Sequence, residues 1–389
     1  MKRIHIILSL TCIICFVCAF SVIAPEVIFS QAKFPKPDHI VIVILENHDY
    51  DQIVLGNAAA HINAMSTDDH SALFTQSFAI EHPSQPNYFD LFAGCNQGVM
   101  DDAVPANNPF TTDNLGRELL DAGKTFVSYS EDLPSVGYNG NPSGNYARKH
   151  NPAADWMGTG TNQIPATVNQ PYSAFPKDFT LLPTVSFVIP NLKDDMHDGG
   201  DPAGIVKGDQ WVNNNLSAYL DWSKTHNSLF ILTFDEAETD PNNQVMTFFA
   251  GQMVKPGQYS EMIDHYSILR TIEDMYGLRH ACNASTATPI TDVWDLSAGV
   301  SSGKSELDKN FFSIVSNPST TDLVIRINNP EAGNLRSLEI FDLLGKKVFE
   351  ENPNNLKTKE IKVGHFPSGT YLVKASDGKV NYTQKLIIQ

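Results

Sequence analysis

Cysteine is scarce in this chain, and most of it lies where it cannot serve the folded protein. Five cysteines occur in 389 residues, and Cys12, Cys15 and Cys18 fall inside an N-terminal apolar run. Cys95 and Cys282 are too few to build a cysteine-based metal site. Whether these two pair or stay buried as thiols is left open by their distant positions. Positive charge is also short, with 27 Lys+Arg against 44 Asp+Glu. Between residues 33 and 310 the count is 15 against 35, a net charge of −20. So acidic a surface repels DNA, RNA and anionic lipid at long range, which argues against nucleic-acid binding. A phosphorylated substrate would need locally concentrated positive charge, most simply a bound cation. The chain also lacks a G-x-S-x-G elbow, a P-loop and an H-E-x-x-H helix, so serine-hydrolase, NTPase and zincin chemistries lose support. It contains no internal repeat and no low-complexity tract.

What is present begins with an export signal. Lys2 and Arg3 precede an apolar run from Ile4 to about Ala24, and Ser30-Gln31-Ala32 places small residues where a signal peptidase reads. Residues 1–32 are therefore expected to be a signal peptide, with transit through the periplasm and no stable membrane insertion after processing. The run is longer than a usual signal core, which leaves an uncleaved anchor as the alternative. Hydrophobic residues make up 42% of the chain, enough for one large core and a smaller one.

From residue 38 to about 276, strands alternate with helical patterns. Ile40–Leu45 (IVIVIL) is apolar at every position, as a parallel strand buried on both faces must be. Thr125–Ser128, Thr184–Ile189, Leu229–Phe234 and Val245–Ala250 read likewise. Asn114–Asp121, Gln210–Trp222 and Ser267–Met275 carry helical patterns. The order predicts an α/β sandwich with a mostly parallel sheet over 33–298. Asn139–Asp178, rich in Asn, Pro, Gly and Tyr, reads as a long ordered loop of the kind that finishes a substrate pocket. Residues 299–310 have a linker's composition, and 311–389 break into short alternating strands expected to form a small β-sandwich.

Ligands of an open α/β sheet bind at the carboxyl ends of its strands. The chain's polar residues gather there. The first strand runs into Glu46-Asn47-His48-Asp49, the third long strand leads to Asp194, Asp195, His197 and Asp198, and the fourth ends in Asp235-Glu236. Hard oxygen donors of this kind suit one divalent metal ion, with Glu46, Asn47, Asp235 and Glu236 as ligands. His197 and His265 adjoin the same cluster. In His82-Pro83-Ser84-Gln85-Pro86-Asn87 the serine precedes an apolar helix. There it faces backbone N–H groups that favour a phosphate. A cation at its oxygen would make Ser84 a nucleophile. The competing reading makes it a helix cap.

Seven segments taken in order resemble the bacterial phosphoesterase family of acid phosphatases and phospholipases C. They are Glu46–Tyr50 (ENHDY), His82–Asn87 (HPSQPN), Tyr129–Pro134 (YSEDLP), Tyr146–Pro152 (YARKHNP), Val185–His197 (VSFVIPNLKDDMH), Thr233–Glu236 (TFDE) and Asp264–Tyr276 (DHYSILRTIEDMY). The resemblance implies an alkaline-phosphatase-like three-layer core. It implies a metal on Glu46, Asn47, Asp235 and Glu236, transient phosphorylation of Ser84, and phosphate contact or proton transfer by His82, His197 and His265. Asn87, Lys149 and His150 would join the substrate-binding set, the last two at the entrance. Relatives of this kind often carry cysteines flanking the Asp-Met-His segment; Lys193 and Gly199 stand there instead. The compact acid phosphatases are the nearer resemblance. Phosphate monoesters of small molecules or lipids are then the expected substrates, with a phospholipase C-type diesterase and an inactive surface binding protein as alternatives. The tail, through Asn317-Pro318, Leu338–Phe349, Ser368–Val373 and Lys385–Ile388, resembles the sorting domain of proteins exported by the type IX machinery of Bacteroidota. That implies a secreted or cell-surface protein. A carbohydrate-binding module is the competing reading of the tail.

Overall fold

The computed structural model describes residues 34–296 throughout and, beyond them, mainly the strands between 312 and 388. The expected signal peptide and linker lie outside the described residues. Ten strands and six α-helices order the first part. The strands are β1 (His39–Leu45), β2 (Ser71–Phe74), β3 (Ser77–Phe78), β4 (Phe126–Ser130), β5 (Asn169–Pro171), β6 (Val185–Ile189), β7 (Ser228–Phe234), β8 (Thr247–Ala250), β9 (Gly257–Tyr259) and β10 (Ile263–Asp264). The helices are α1 (Tyr50–Val54), α2 (Ala60–Ser66), α3 (Ser84–Ala93), α4 (Leu115–Asp121), α5 (Ala203–Ser223) and α6 (His265–Tyr276). Eight strands make one sheet in the order β5-β4-β6-β1-β7-β8-β2-β9. Its pairings are parallel except where β8 meets β7 and β2. β3 and β10 form a separate short pair.

β1 shows why the sheet is central. Side chains alternate faces along a strand, so a run that is apolar at both parities must be covered twice. Ile40, Ile42 and Ile44 enter one core with α3, α4 and α6, while Val41, Val43 and Leu45 enter another with α2 and α5. This is the expected three-layer sandwich. The direction of β8 is the departure: Val245–Ala250 has the texture of the parallel strands, but the connection from β7 forms no crossover helix and the strand returns antiparallel. The 139–178 stretch is ordered as expected, by four 3₁₀ turns and the edge strand β5.

Cys95 and Cys282 form a disulfide with Cα atoms 5.9 Å apart and 187 residues between them in sequence. Closing so long a loop contributes about 2–5 kcal/mol by restricting the unfolded chain. It fixes the end of α3 to the turn after α6. In the tail, Phe312–Ile314, Leu323–Ile327 and Glu360–Gly364 make one antiparallel sheet. Lys347–Glu351, Ser337–Asp342, Gly369–Ser376 and Asn381–Ile388 make a second. Leu338, Ile340, Val373, Ala375 and Leu386 are among the buried residues of its core.

Candidate active site

Because β6, β1 and β7 are adjacent and parallel, the residues that follow them meet at one edge of the sheet. Asn47 leaves β1 with φ of 56°, a left-handed conformation that asparagine tolerates better than most residues. The turn aims its N–H at Asp235 Oδ1, 3.0 Å away. Asp235 N donates to Leu45 O, and Glu46 N donates to Asp195 O. Glu46, Asp235 and Glu236 are thereby brought together, buried, with oxygens within 4.8 Å of one another.

Three buried carboxylates at that distance repel one another unless something offsets their charge. Burial raises the Glu46 carboxyl from the ordinary 4.5 to about 7, against the pull of the Lys149 ammonium. Burial and then the charge of Glu46 push Asp235 well above its usual 3.8. Glu46 Oε1 and Asp235 Oδ2 are buried without a hydrogen-bond partner. Orphaned hard oxygens in a negative cluster are the donor set a divalent cation fits.

Ser84 opens α3 at this edge. Its hydroxyl lies 2.9 Å from Glu236 Oε1 and 3.2 Å from Glu46 Oε2, and Lys149 Nζ donates to it over 3.3 Å. Lys149 keeps its proton, because Glu46, Asp102 and Asp235 outweigh the burial that would strip it. His82, two residues before Ser84, places Nδ1 2.5 Å from Glu236 Oε2 with its side chain 53% exposed. It links the buried carboxylate to solvent.

The other expected residues take different places. His197 is partly exposed, with Nδ1 on Asp198 Oδ1 and its N–H on Asp195 Oδ1. His265 is buried, with Nε2 3.0 Å from the Phe234 carbonyl just before Asp235, and Nδ1 unpartnered. Burial lowers its pKa from the usual 6.5, against the Phe234 carbonyl and the charge of Asp264. Asn87, expected to bind substrate, instead braces the chain. Its Oδ1 accepts from Ile80 N and Glu81 N, and its amide donates to Glu81 O and Pro83 O, which holds the turn that presents Ser84. His150, expected at the entrance, is completely buried and stacks on Tyr88 with ring centroids 5.0 Å apart. Its Nε2 is 2.5 Å from Glu46 Oε1 and its Nδ1 3.2 Å from Asp195 Oδ2, close but poorly directed contacts.

Two residues of this cluster have no role assigned from the sequence, although Asp195 stands among the acids that follow β6. Asp195 is buried behind His150, and burial raises it to about 7. Its place at the end of β6 was a signal for it. Asp102 comes from the loop after the Cys95 disulfide and bonds both Gln85 N and Lys149 Nζ. That takes one of the N–H groups at the start of α3 that a phosphate was expected to meet. No local pattern marks Asp102.

Comparison with known proteins gives the family. The phosphoesterase family model matches residues 58–279. The chain belongs to that family. It is a hydrolase of phosphoric ester bonds. It is similar to the phosphatidylinositol-3-phosphatase of Mycobacterium tuberculosis, 44% identical over 69% of this chain and 87% of that protein. It is also similar to the phosphate-repressible acid phosphatase of Penicillium chrysogenum, 30% identical over 68% of this chain and 66% of the other. Among solved structures, a member of the alkaline phosphatase superfamily from Vibrio parahaemolyticus overlays 84% of each chain with 10% identity and a TM-score of 0.48, too distant to bear on activity. The secretion system C-terminal sorting domain model matches this phosphoesterase's residues 313–389. Among its described residues no helix is long and apolar enough to cross a membrane.

Proposed function

We propose that this phosphoesterase hydrolyses phosphate monoesters through a phosphoserine on Ser84. The observation that carries the reading is one buried hydroxyl that meets Glu236, Glu46 and Lys149 within 3.3 Å. Glu236 Oε1 accepts the Ser84 proton, and His82 on the other oxygen connects that carboxylate to solvent. Ser84 Oγ then bonds to phosphorus as the bond to the leaving oxygen breaks. Lys149 lies against the developing charge. In the second step water attacks phosphorus and gives up a proton, which balances the one the leaving oxygen took from solvent. The Ser84–phosphorus bond breaks, Ser84 Oγ takes back the proton held by Glu236, and phosphate leaves.

Glu46, Asn47, Asp235 and Glu236 would hold one divalent cation. Such a cation lowers the pKa of an adjacent hydroxyl and neutralises charge on a transferring phosphoryl group. His197, partly exposed and held by Asp195 and Asp198, would contact the phosphate of the substrate.

Monoesters are favoured over diesters because a monoester dianion carries one more charged oxygen, which Lys149 and a cation can take up. The names of both relatives above are phosphatase names. The ratio of kcat/KM for p-nitrophenyl phosphate to that for its choline diester is expected to exceed about ten, or roughly 1.4 kcal/mol in transition-state free energy. Chelation is expected to abolish both activities. A preference for the diester would replace this reading with a phospholipase C-type one.

We further propose that residues 1–32 are a cleaved signal peptide, that 299–310 are a linker, and that the tail addresses the enzyme to the type IX machinery and the cell surface. Deleting 311–389 is expected to leave the purified enzyme with its full kcat and to stop surface delivery in the native host. Cell fractionation checks this: a truncated protein that still reaches the surface would show that the tail serves another purpose.

A further inference from the structure

We propose that Asp102 is a positioning residue that seats the Lys149 ammonium against Ser84. Its two oxygens do different things. Oδ1 accepts from the N–H of Gln85, the residue after the nucleophile, at 3.1 Å. Oδ2 accepts from Lys149 Nζ at 2.9 Å, and the same Nζ donates to Ser84 Oγ at 3.3 Å. One carboxylate thus bridges the backbone that carries the nucleophile and the cation that faces it.

A lysine needs such an anchor here. Its four-carbon stem is flexible, and its ammonium is a point charge without directional preference. Glu46 and Asp235 both attract Lys149. Unopposed, that attraction would draw the ammonium off the nucleophile and into the carboxylate cluster. Asp102 competes for the ammonium through a direct bond of 2.9 Å. The Lys149 and Asp102 side chains are 19% and 34% exposed, so solvent partly screens the pair. The loop that carries Asp102 has its own anchors, since Gln85 Nε2 donates to Asp101 O and Ala103 O. The carboxylate is therefore not required to hold its own loop in place.

The inference rests on Ser84 being the nucleophile, and its test is built to separate the two. Asp102→Asn keeps an oxygen for Gln85 N and replaces the acceptor of Lys149 with a donor. It is expected to lower kcat for p-nitrophenyl phosphate about ten-fold or more, with melting temperature nearly unchanged. Lys149→Met is expected to lose at least as much, and the double variant no more than Lys149→Met alone, because Asp102 acts through Lys149. Binding of inorganic phosphate, followed by calorimetry, should show the same non-additive pattern. Should the asparagine variant fail to fold, Asp102→Ala, whose loop keeps its anchors on Gln85 Nε2, replaces it in the cycle. Multiplying losses in the double variant, or wild-type kcat and phosphate affinity in Asp102→Asn, would overturn the inference. A wild-type enzyme without activity on p-nitrophenyl phosphate would sink the phosphatase reading and leave the phosphate-binding cycle to decide Asp102.

Discussion

Ser84→Ala is expected to lower turnover of p-nitrophenyl phosphate at least about a thousand-fold, about 4 kcal/mol or more in barrier height. The change removes one oxygen from a buried position at the start of α3 and leaves alanine, a good helix former. The core around α3, from Tyr88 to Ala93, is untouched. The variant should therefore keep its melting temperature and its capacity for metal. That combination separates a covalent role from a structural one. If Ser84 were only the cap of its helix, alanine would cost stability and spare the rate. A variant retaining a tenth of wild-type turnover would exclude Ser84 as the nucleophile.

The second large effect concerns the carboxylate cluster, and it has two opposite signs. Glu46→Gln combined with Asp235→Asn is expected to abolish the rise in melting temperature that a divalent cation produces, because two anionic donors are lost. The same substitutions should make the chelated protein more stable, on the order of 1–4 kcal/mol, because they remove uncompensated buried charge. The pH dependence follows from the same cause. A carboxyl raised from 4.5 to about 7 by burial, as Glu46 is, stabilises the fold fully below pH 4.5, where it is protonated in both states. That contribution is lost as pH climbs to about 7, because the unfolded chain ionises first. The chelated wild type should thus melt at falling temperatures across this window. The double variant should show a smaller slope, the remainder coming from Asp195, Asp90, Glu118 and Glu273, whose carboxyls burial also raises. Metal analysis and calorimetry decide the matter: a full metal complement in the double variant would contradict the ligand assignment.

The sheet was legible because β1, β6 and β7 are mostly apolar at both parities, a pattern that double coverage explains. The meeting of Glu46 with Asp235 and Glu236 was legible for a related reason: residues that follow parallel strands share one edge whatever the loops do. Strand direction was harder. β8 has the same apolar texture as the parallel strands, and the sign of its direction lies outside it, in the turn-rich connection 236–244 that carries no helical pattern.

Side-chain partnerships were mostly invisible. The Arg148-Lys149-His150 run reads as a solvated basic loop, yet Arg148 is buried on Asp155 and His150 lies beneath Glu46. Asp155, seven residues on, offers no signal that distinguishes it from a surface acid. Asn87 stood in the right segment with the wrong task, since four backbone groups of a neighbouring turn saturate its amide. Asp102 meets Lys149 across 47 residues, a pairing that depends on how the loop after Cys95 folds back.

The central claim is the covalent step at Ser84, and a rapid acid quench during turnover of a phosphate monoester tests it most directly. Peptide mapping of the quenched wild-type enzyme by mass spectrometry is expected to place phosphate on Ser84, with none in the Ser84→Ala variant. Turnover proceeding with no phosphorylated peptide, or with phosphate on His82, His197 or another residue, would contradict it.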